Sequence, residues 1–321
     1  MFTVSTRQWK GTDMILLSDM SSKTHAEIIP SCGAILHAFS VAYKGGMLNV
    51  IEQHDSPDDF KKNVGAKGFK SCKLSPFVCR VKKGQYRFGN GKYTVTKFML
   101  DGNAIHGLIY DAPFTVKYTY ADEEHAGVAL EYQYRGEEKG YPFHFDCVIT
   151  YHLKKNNELI ISTDIFNKEA EELIPVQDGW HPYFTFGGKI DDLLLELKSS
   201  EKIEFDRKMI PTGKKTPFDE YATAKPIGNT FFDDCFVLKA PGRASNQPSC
   251  ILRDADKKIQ VEIRPDKNYP YLQLYTPPHR QSIAIENLSG APDGFNNAMG
   301  VVVLPPDANK IFTTTYKVVL L

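Results

Sequence analysis

The sequence predicts an all-β protein, a large antiparallel β-sandwich with few short helices. Three observations carry that expectation. Apolar and polar residues alternate with a period of two along many short runs, turn residues separate those runs, and no segment sustains a helical period.

In chain order, 114-FTVKYTY-120 alternates apolar or aromatic residues with Thr and Lys. In 128-VALEYQYR-135, Val128, Leu130, Tyr132 and Tyr134 share one face. In 145-FDCVITYHL-153, Phe145, Cys147, Ile149, Tyr151 and Leu153 do the same. Further strand-like runs are 158-ELIISTDIF-166, 192-DLLLEL-197, 258-KIQVEI-263, 271-YLQLY-275 and 311-IFTTTYKVVL-320. Such alternation is what half-buried antiparallel strands require. Gly89-Asn90-Gly91, Asp101-Gly102-Asn103, Gly187-Gly188 and Pro241-Gly242 are the turns between runs. One short helix is expected at 56-SPDDFKKN-63: Ser56 caps it, Pro57 suits its first position, and two aspartates favour its positive end. No linker or shift of composition divides the chain, so residues 1–321 are expected to form a single domain.

Hydrophobic residues make up 42% and charged residues 24%, the profile of a globular chain with an ample core. Basic and acidic residues number 39 each, which leaves no electrostatic footprint for nucleic acid. No window approaches the ~20 apolar residues of a membrane span. MFTVSTRQWKGTD lacks the apolar run of a signal peptide, so a cytoplasmic location is expected. The six cysteines lack C-x-x-C spacing and read as reduced, partly buried thiols, not as zinc ligands.

Five polar stretches stand out against the β background: 76-PFVCRVKKGQYRF-88, 103-NAIHGL-108, 178-DGWHPYF-184, 231-FFDDCFVL-238 and 283-IAIENLSGAPDGFNN-297. Taken singly, each has an ordinary structural reading. His181 alone is a satisfied, partly buried histidine and His106 a turn residue. Arg80 alone snorkels over apolar neighbours, Asp233 and Asp234 form a turn, and Glu286 is an edge-strand glutamate. Taken in order, the set resembles the aldose 1-epimerase (galactose mutarotase) family, and 29-IPSCGAILHAF-39 resembles the opening strand of that family. The resemblance spans roughly residues 25 to 320. It implies a sandwich of the supersandwich type with a sugar-binding groove, a small-molecule sugar as partner, and no metal or other cofactor. By position, Glu286 matches the general base, His181 the general acid, and His106 a second histidine near the ring oxygen. Arg80 and Asp233 match substrate-binding residues; the spacing to Phe236 selects Asp233 over Asp234. Trp180, Tyr183 and Phe184 are expected as apolar walls.

The chemistry suits these residue types. Mutarotation opens a cyclic hemiacetal, turns the C1–C2 bond and recloses the ring. One proton leaves the anomeric hydroxyl while another reaches the ring oxygen, so a base and an acid flank the sugar. A glutamate (reference pKa ~4.3) is ionised at neutral pH, and a histidine (~6.5) needs a small upward shift to donate. A bell-shaped pH–rate profile is expected, its acidic limb from Glu286 and its basic limb from a histidine. Glu286 and His181 are expected to face each other across a groove one sugar ring wide. Two other readings keep the groove: a hexose 6-phosphate mutarotase, for which Lys82, Lys83 and Arg87 near Arg80 are candidate cations, and a carbohydrate-binding protein without catalysis.

Overall fold

The computed structural model describes residues 1–239 and 247–321; the Pro241-Gly242 turn lies outside the described residues. Two large antiparallel sheets dominate. A nine-stranded sheet runs, from edge to edge, through Thr115–Ala121, His125–Arg135, His144–Lys154, Glu158–Asn167, Asn309–Leu320, Ile259–Pro265, Cys250–Asp254, Leu194–Leu197 and Lys225–Pro226. The second sheet runs through Pro211–Pro217, Ser199–Phe205, Asp233–Leu238, Tyr271–Tyr275, Ile283–Leu288, Gly179–Trp180 and Lys73–Leu74, with Tyr183–Phe184 also paired to Ile283–Leu288. The fold is the all-β sandwich that the alternating pattern predicts.

The alternation is cleanest in His144–Lys154, where Phe145, Cys147, Ile149, Tyr151 and Leu153 are buried and their neighbours are not. Thr115–Ala121 departs from the expected half-burial. It is an edge strand, and Val116 and Tyr118 remain exposed. The sheets bury their facing residues in one continuous core, in which Ile149 and Tyr151 meet Trp180, Phe184, Leu272, Leu274 and Ile285. A five-stranded meander of Phe2–Trp9, Thr12–Asp19, Thr24–Ile29, Ile35–Tyr43 and Gly46–Asn49 completes the packing at the N-terminal end.

The helix Pro57–Asn63 forms where expected, and the Ser56 hydroxyl accepts the Asp59 N–H at 3.0 Å. All six cysteines are free and buried. Among the described residues, no helix is long and apolar enough to cross a membrane.

Candidate active site

A groove of about 550 Å³ opens on the outer face of the second sheet, and its floor is laid by strand alternation. In Ile283–Leu288, Glu286 turns to the groove. Its neighbour Asn287 turns inward and accepts a hydrogen bond from the Thr314 hydroxyl of the opposite sheet at 2.6 Å. In Tyr271–Tyr275, Gln273 and Tyr275 line the groove, while Leu272 and Leu274 enter the core. Asp233 opens the next strand, lines the groove, and accepts from the Gln273 amide at 2.9 Å. Asp234 points elsewhere and pairs with Lys202 at 3.2 Å.

His181 sits where the strands Gly179–Trp180 and Tyr183–Phe184 break at Pro182. Backbone bonds hold it on both sides: its N–H donates to Cys72 O at 3.1 Å, and its carbonyl accepts from Ser71 N–H at 2.9 Å. The Tyr183 ring stacks on the imidazole, centroids 5.2 Å apart and 16° between planes. The Tyr183 hydroxyl donates to Gly68 O at 3.0 Å; a side chain on Gly68, whose φ is +74°, would strike that hydroxyl.

Behind His181 lies a buried ion pair. Lys73 Nζ donates to Asp178, to the Thr163 hydroxyl at 2.9 Å and to Gly179 O at 3.2 Å. Tyr269 adds a hydroxyl donor to Asp178. Asp178 of the DGWHPYF stretch is therefore a structural anchor. Trp180 differs from expectation. It is not a wall of the groove, because alternation sends it to the inner face. There its ring lies over Lys73 Nζ at 4.4 Å and meets Tyr151 edge-on. Phe184 is likewise in the core.

His106 follows the strand Asn103–Ile105 in a left-handed conformation (φ 63°), its N–H donated to Cys79 O at 2.8 Å. Gly107 must be glycine: φ is +78°, and a Cβ would lie 2.4 Å from Ser75 O. The His106 ring meets His181 edge-on at 4.9 Å and Phe69 at 4.6 Å. Phe69, Ser71 and Cys79 share the left-handed conformation, so four non-glycine residues around one cleft hold a backbone that costs energy. Arg80 lines the groove, with its nearest carboxylate partner, Asp101, 4.0 Å away.

At the centre, His181 Nε2 lies 3.3 Å from Glu286 Oε1. The two do not face each other across the groove; they lie side by side on its floor. Burial pushes the Glu286 carboxyl well up, reinforced by the Asp233 charge and opposed by Arg80. Burial pulls His181 down to about 3, and holds His106 well below the ordinary histidine range. Burial thus disfavours the charged form of all three groups. Five buried polar atoms of lining residues have no partner: Arg80 Nε, His106 Nδ1, His181 Nδ1, Gln273 Oε1 and Glu286 Oε2. Five unpaired polar atoms in one cleft depart from the rule that buried polar groups are hydrogen-bonded. Among the described residues, no group of three or more His, Cys, Asp or Glu is placed to hold a metal ion.

The aldose 1-epimerase family model matches residues 15–317. The chain belongs to the aldose 1-epimerase family. An aldose 1-epimerase of Streptococcus thermophilus is 26% identical over 257 residues, 74% of this chain and 70% of that protein. A maltose epimerase of Levilactobacillus brevis is 23% identical over 269 residues, 71% and 76% of the two chains. Among solved structures, a galactose mutarotase-like protein from Clostridium acetobutylicum superposes with a TM-score of 0.87 at 18% identity, covering 100% of this chain and 99% of that one. The galactose 1-epimerase of Lactobacillus acidophilus follows with 0.80 at 20% identity, covering 99% and 98%. These two structures share the fold of this aldose 1-epimerase family member. Gln273, Tyr275 and Phe69 line the groove but escape a motif reading. The signal for the first two was the alternation of YLQLY, which puts Tyr271, Gln273 and Tyr275 on one face.

Proposed function

We propose that the groove binds a free aldohexose and that Glu286 and His181 interconvert its α and β anomers. The observation that supports this is the 3.3 Å contact between Nε2 and Oε1 on the groove floor. The anomeric hydroxyl and the ring oxygen share one carbon, so an acid and a base side by side reach both at once. Glu286 takes the proton of the anomeric hydroxyl as the bond from C1 to the ring oxygen breaks. His181, which takes the proton the pair shares from Glu286 across their contact, gives it to that oxygen. This leaves an open-chain aldehyde, a neutral carboxyl and a neutral imidazole. Rotation about C1–C2 turns the other aldehyde face inward, and the reverse transfers close the ring and restore both protons.

Burial favours the neutral pair over the charged one. Ring opening therefore removes the charge separation with which it begins, and every proton in the cycle has a side chain to carry it. Arg80 and Asp233 hold sugar hydroxyls by charge-assisted hydrogen bonds. His106, kept neutral by burial, serves as a hydrogen-bond partner near the ring oxygen. Tyr183 and Phe69 supply apolar surface for the C–H side of the ring.

A neutral sugar suits the mouth of the groove. Lys67 pairs with Asp55 and Asp59, and Lys70 pairs with Glu52. Lys82, Lys83 and Arg87 do not line this groove, so the hexose 6-phosphate reading loses its cations. The size of the groove and its outer wall of Tyr275, Pro277 and Pro278 leave space beyond one ring, so maltose belongs beside glucose and galactose as a test substrate. Polarimetry on freshly dissolved α-D-glucose, α-D-galactose, maltose and glucose 6-phosphate tests the proposal. Faster decay of rotation with the neutral sugars supports it. Measurable sugar affinity with no acceleration replaces it with a binding protein.

A further inference from the structure

A second cavity, about 770 Å³, lies apart from the acid–base pair and has a different chemistry. Its lining includes Lys82, Lys83, Arg87 and Lys92. The first two stand on the turn Lys82–Gly84, and the others on the hairpin Gln85–Phe88/Gly91–Thr94. Arg87 and Lys92 are directly opposed in the hairpin register. Like charges in that position repel unless something neutralises them.

Among the described residues, none of the four has a carboxylate within 4.0 Å, whereas exposed Lys97, Lys117, Lys155 and Lys225 each have one. Asp293 is the one acidic side chain in the lining. It is buried, and its Oδ1 accepts the Lys82 N–H at 2.8 Å and the Asn296 amide at 2.7 Å. Asp206, whose charge reaches Lys82, is occupied by the N–H groups of Lys208 and Ile210. The cation-bearing turn is also pinned. Lys83 holds φ 56°, its N–H donates to Asn103 Oδ1 at 3.0 Å, and Gly84 O accepts Val95 N–H at 2.8 Å.

We propose that this cavity is a binding site for a small phosphorylated ligand. The phosphate lies among Lys82, Lys83, Arg87 and Lys92, and the body of the ligand lies against Tyr93. Arginine offers a planar fork to phosphate oxygens and lysine a point charge. Tyr93 is half-buried and stacked on Tyr86 at 5.1 Å and 24°, so its ring is held in place at the edge of the cation cluster. The site adjoins the groove through Asp293, which accepts from Lys82 N–H and donates its own N–H to Arg80 O at 2.6 Å.

The test is a titration of the full chain at low ionic strength, by calorimetry and phosphorus NMR. The probes are inorganic phosphate, pyrophosphate and glucose 6-phosphate, each with the groove saturated by galactose. Saturable binding is expected, tighter for the ester than for free phosphate, and at least about tenfold weaker in the Arg87→Gln/Lys92→Gln double variant, which loses two charge-assisted hydrogen bonds. Both side chains are exposed, so the fold is expected to survive; circular dichroism and unchanged sugar mutarotation check it. Absence of saturable binding, or equal binding by the double variant, overturns the proposal. So does binding of duplex DNA or heparin in preference to every small phosphate.

Discussion

His181 Nε2 and Glu286 Oε1 lie 3.3 Å apart on the groove floor, brought together from strands distant in sequence by their pairing in one sheet. Neither group has an ordinary structural partner for its other polar atom, since His181 Nδ1 and Glu286 Oε2 are both buried and unbonded. A pair retained for stability alone would be more fully satisfied. On the proposed mechanism, the pair serves two oxygens on one carbon.

On the proposed mechanism, replacing either member removes one of two coupled proton transfers. Glu286→Gln and His181→Asn are each expected to lower the mutarotation rate by about 10²–10⁴-fold, the usual range for general acid–base catalysis. Exchange NMR between anomers at equilibrium measures this directly, and far-UV circular dichroism checks the fold. A variant that keeps near-normal exchange removes that residue from the chemistry.

The pH dependence follows from one proton shared by the pair. On the proposed mechanism the active form is singly protonated, whichever atom holds the proton. A second proton enters only as pH falls toward about 3, because burial lowers His181. The shared proton leaves at high pH, because burial raises Glu286. On the proposed mechanism, burial assigns the acidic limb to the imidazole and the basic limb to the carboxyl. The kcat profile is expected to be a broad plateau across neutral pH. A narrow bell centred between ordinary glutamate and histidine values would contradict the buried geometry.

The same burial has a cost in stability with a defined sign. The folded Glu286 pKa lies above its unfolded value of 4.5, so folded protein holds a proton that the unfolded chain releases. That stability is present below pH 4.5 and is lost as pH rises toward the folded pKa. Glu286→Gln removes the dependence. The variant is expected to match wild type near pH 4 and to exceed it near pH 8, by on the order of 1 kcal/mol. His181 runs the other way: its contribution is present above 6.5 and is lost as pH falls toward about 3. Urea melts at several pH values separate the two slopes. A Gln variant less stable than wild type at pH 8 would sink the argument.

The strands of the two large sheets were legible because many expose one face, which leaves period two in the sequence. His144–Lys154 is the clearest case. The N-terminal meander left no such pattern and was read only at 29-IPSCGAILHAF-39, by resemblance; two of its strands bury consecutive residues, Met14 through Asp19 and Ile35 through Phe39. In the groove, Arg80, His106, His181, Asp233 and Glu286 were visible as polar residues that interrupt apolar runs, and the fold gathers all five. Trp180 was misplaced because adjacency to His181 in sequence means opposite faces in a strand. Gln273 was missed because one amide inside an ordinary alternating strand has no mark of its own. The side-by-side placement of His181 and Glu286 is a tertiary fact, set by which strands pair, and no local spacing encodes it.

Asp178, Lys73 and Trp180 provide a test of structural against functional roles within one short stretch. Lys73 and Asp178 are fully buried and joined, with Trp180 over the ammonium. Removing one charge strands the other in the core, so Asp178→Leu alone is expected to cost about 3–5 kcal/mol. Lys73→Met alone is expected to cost a similar amount. The double variant removes both charges together and is expected to recover much of the loss, a coupling that a double-mutant cycle reads directly. Trp180→Phe keeps an aromatic in the inner layer and is expected to lower stability by about 1–2 kcal/mol while leaving the KM for sugar unchanged. A raised KM with unaltered stability would instead return Trp180 to the groove wall, and additive single losses in the cycle would mean that the pair is not coupled.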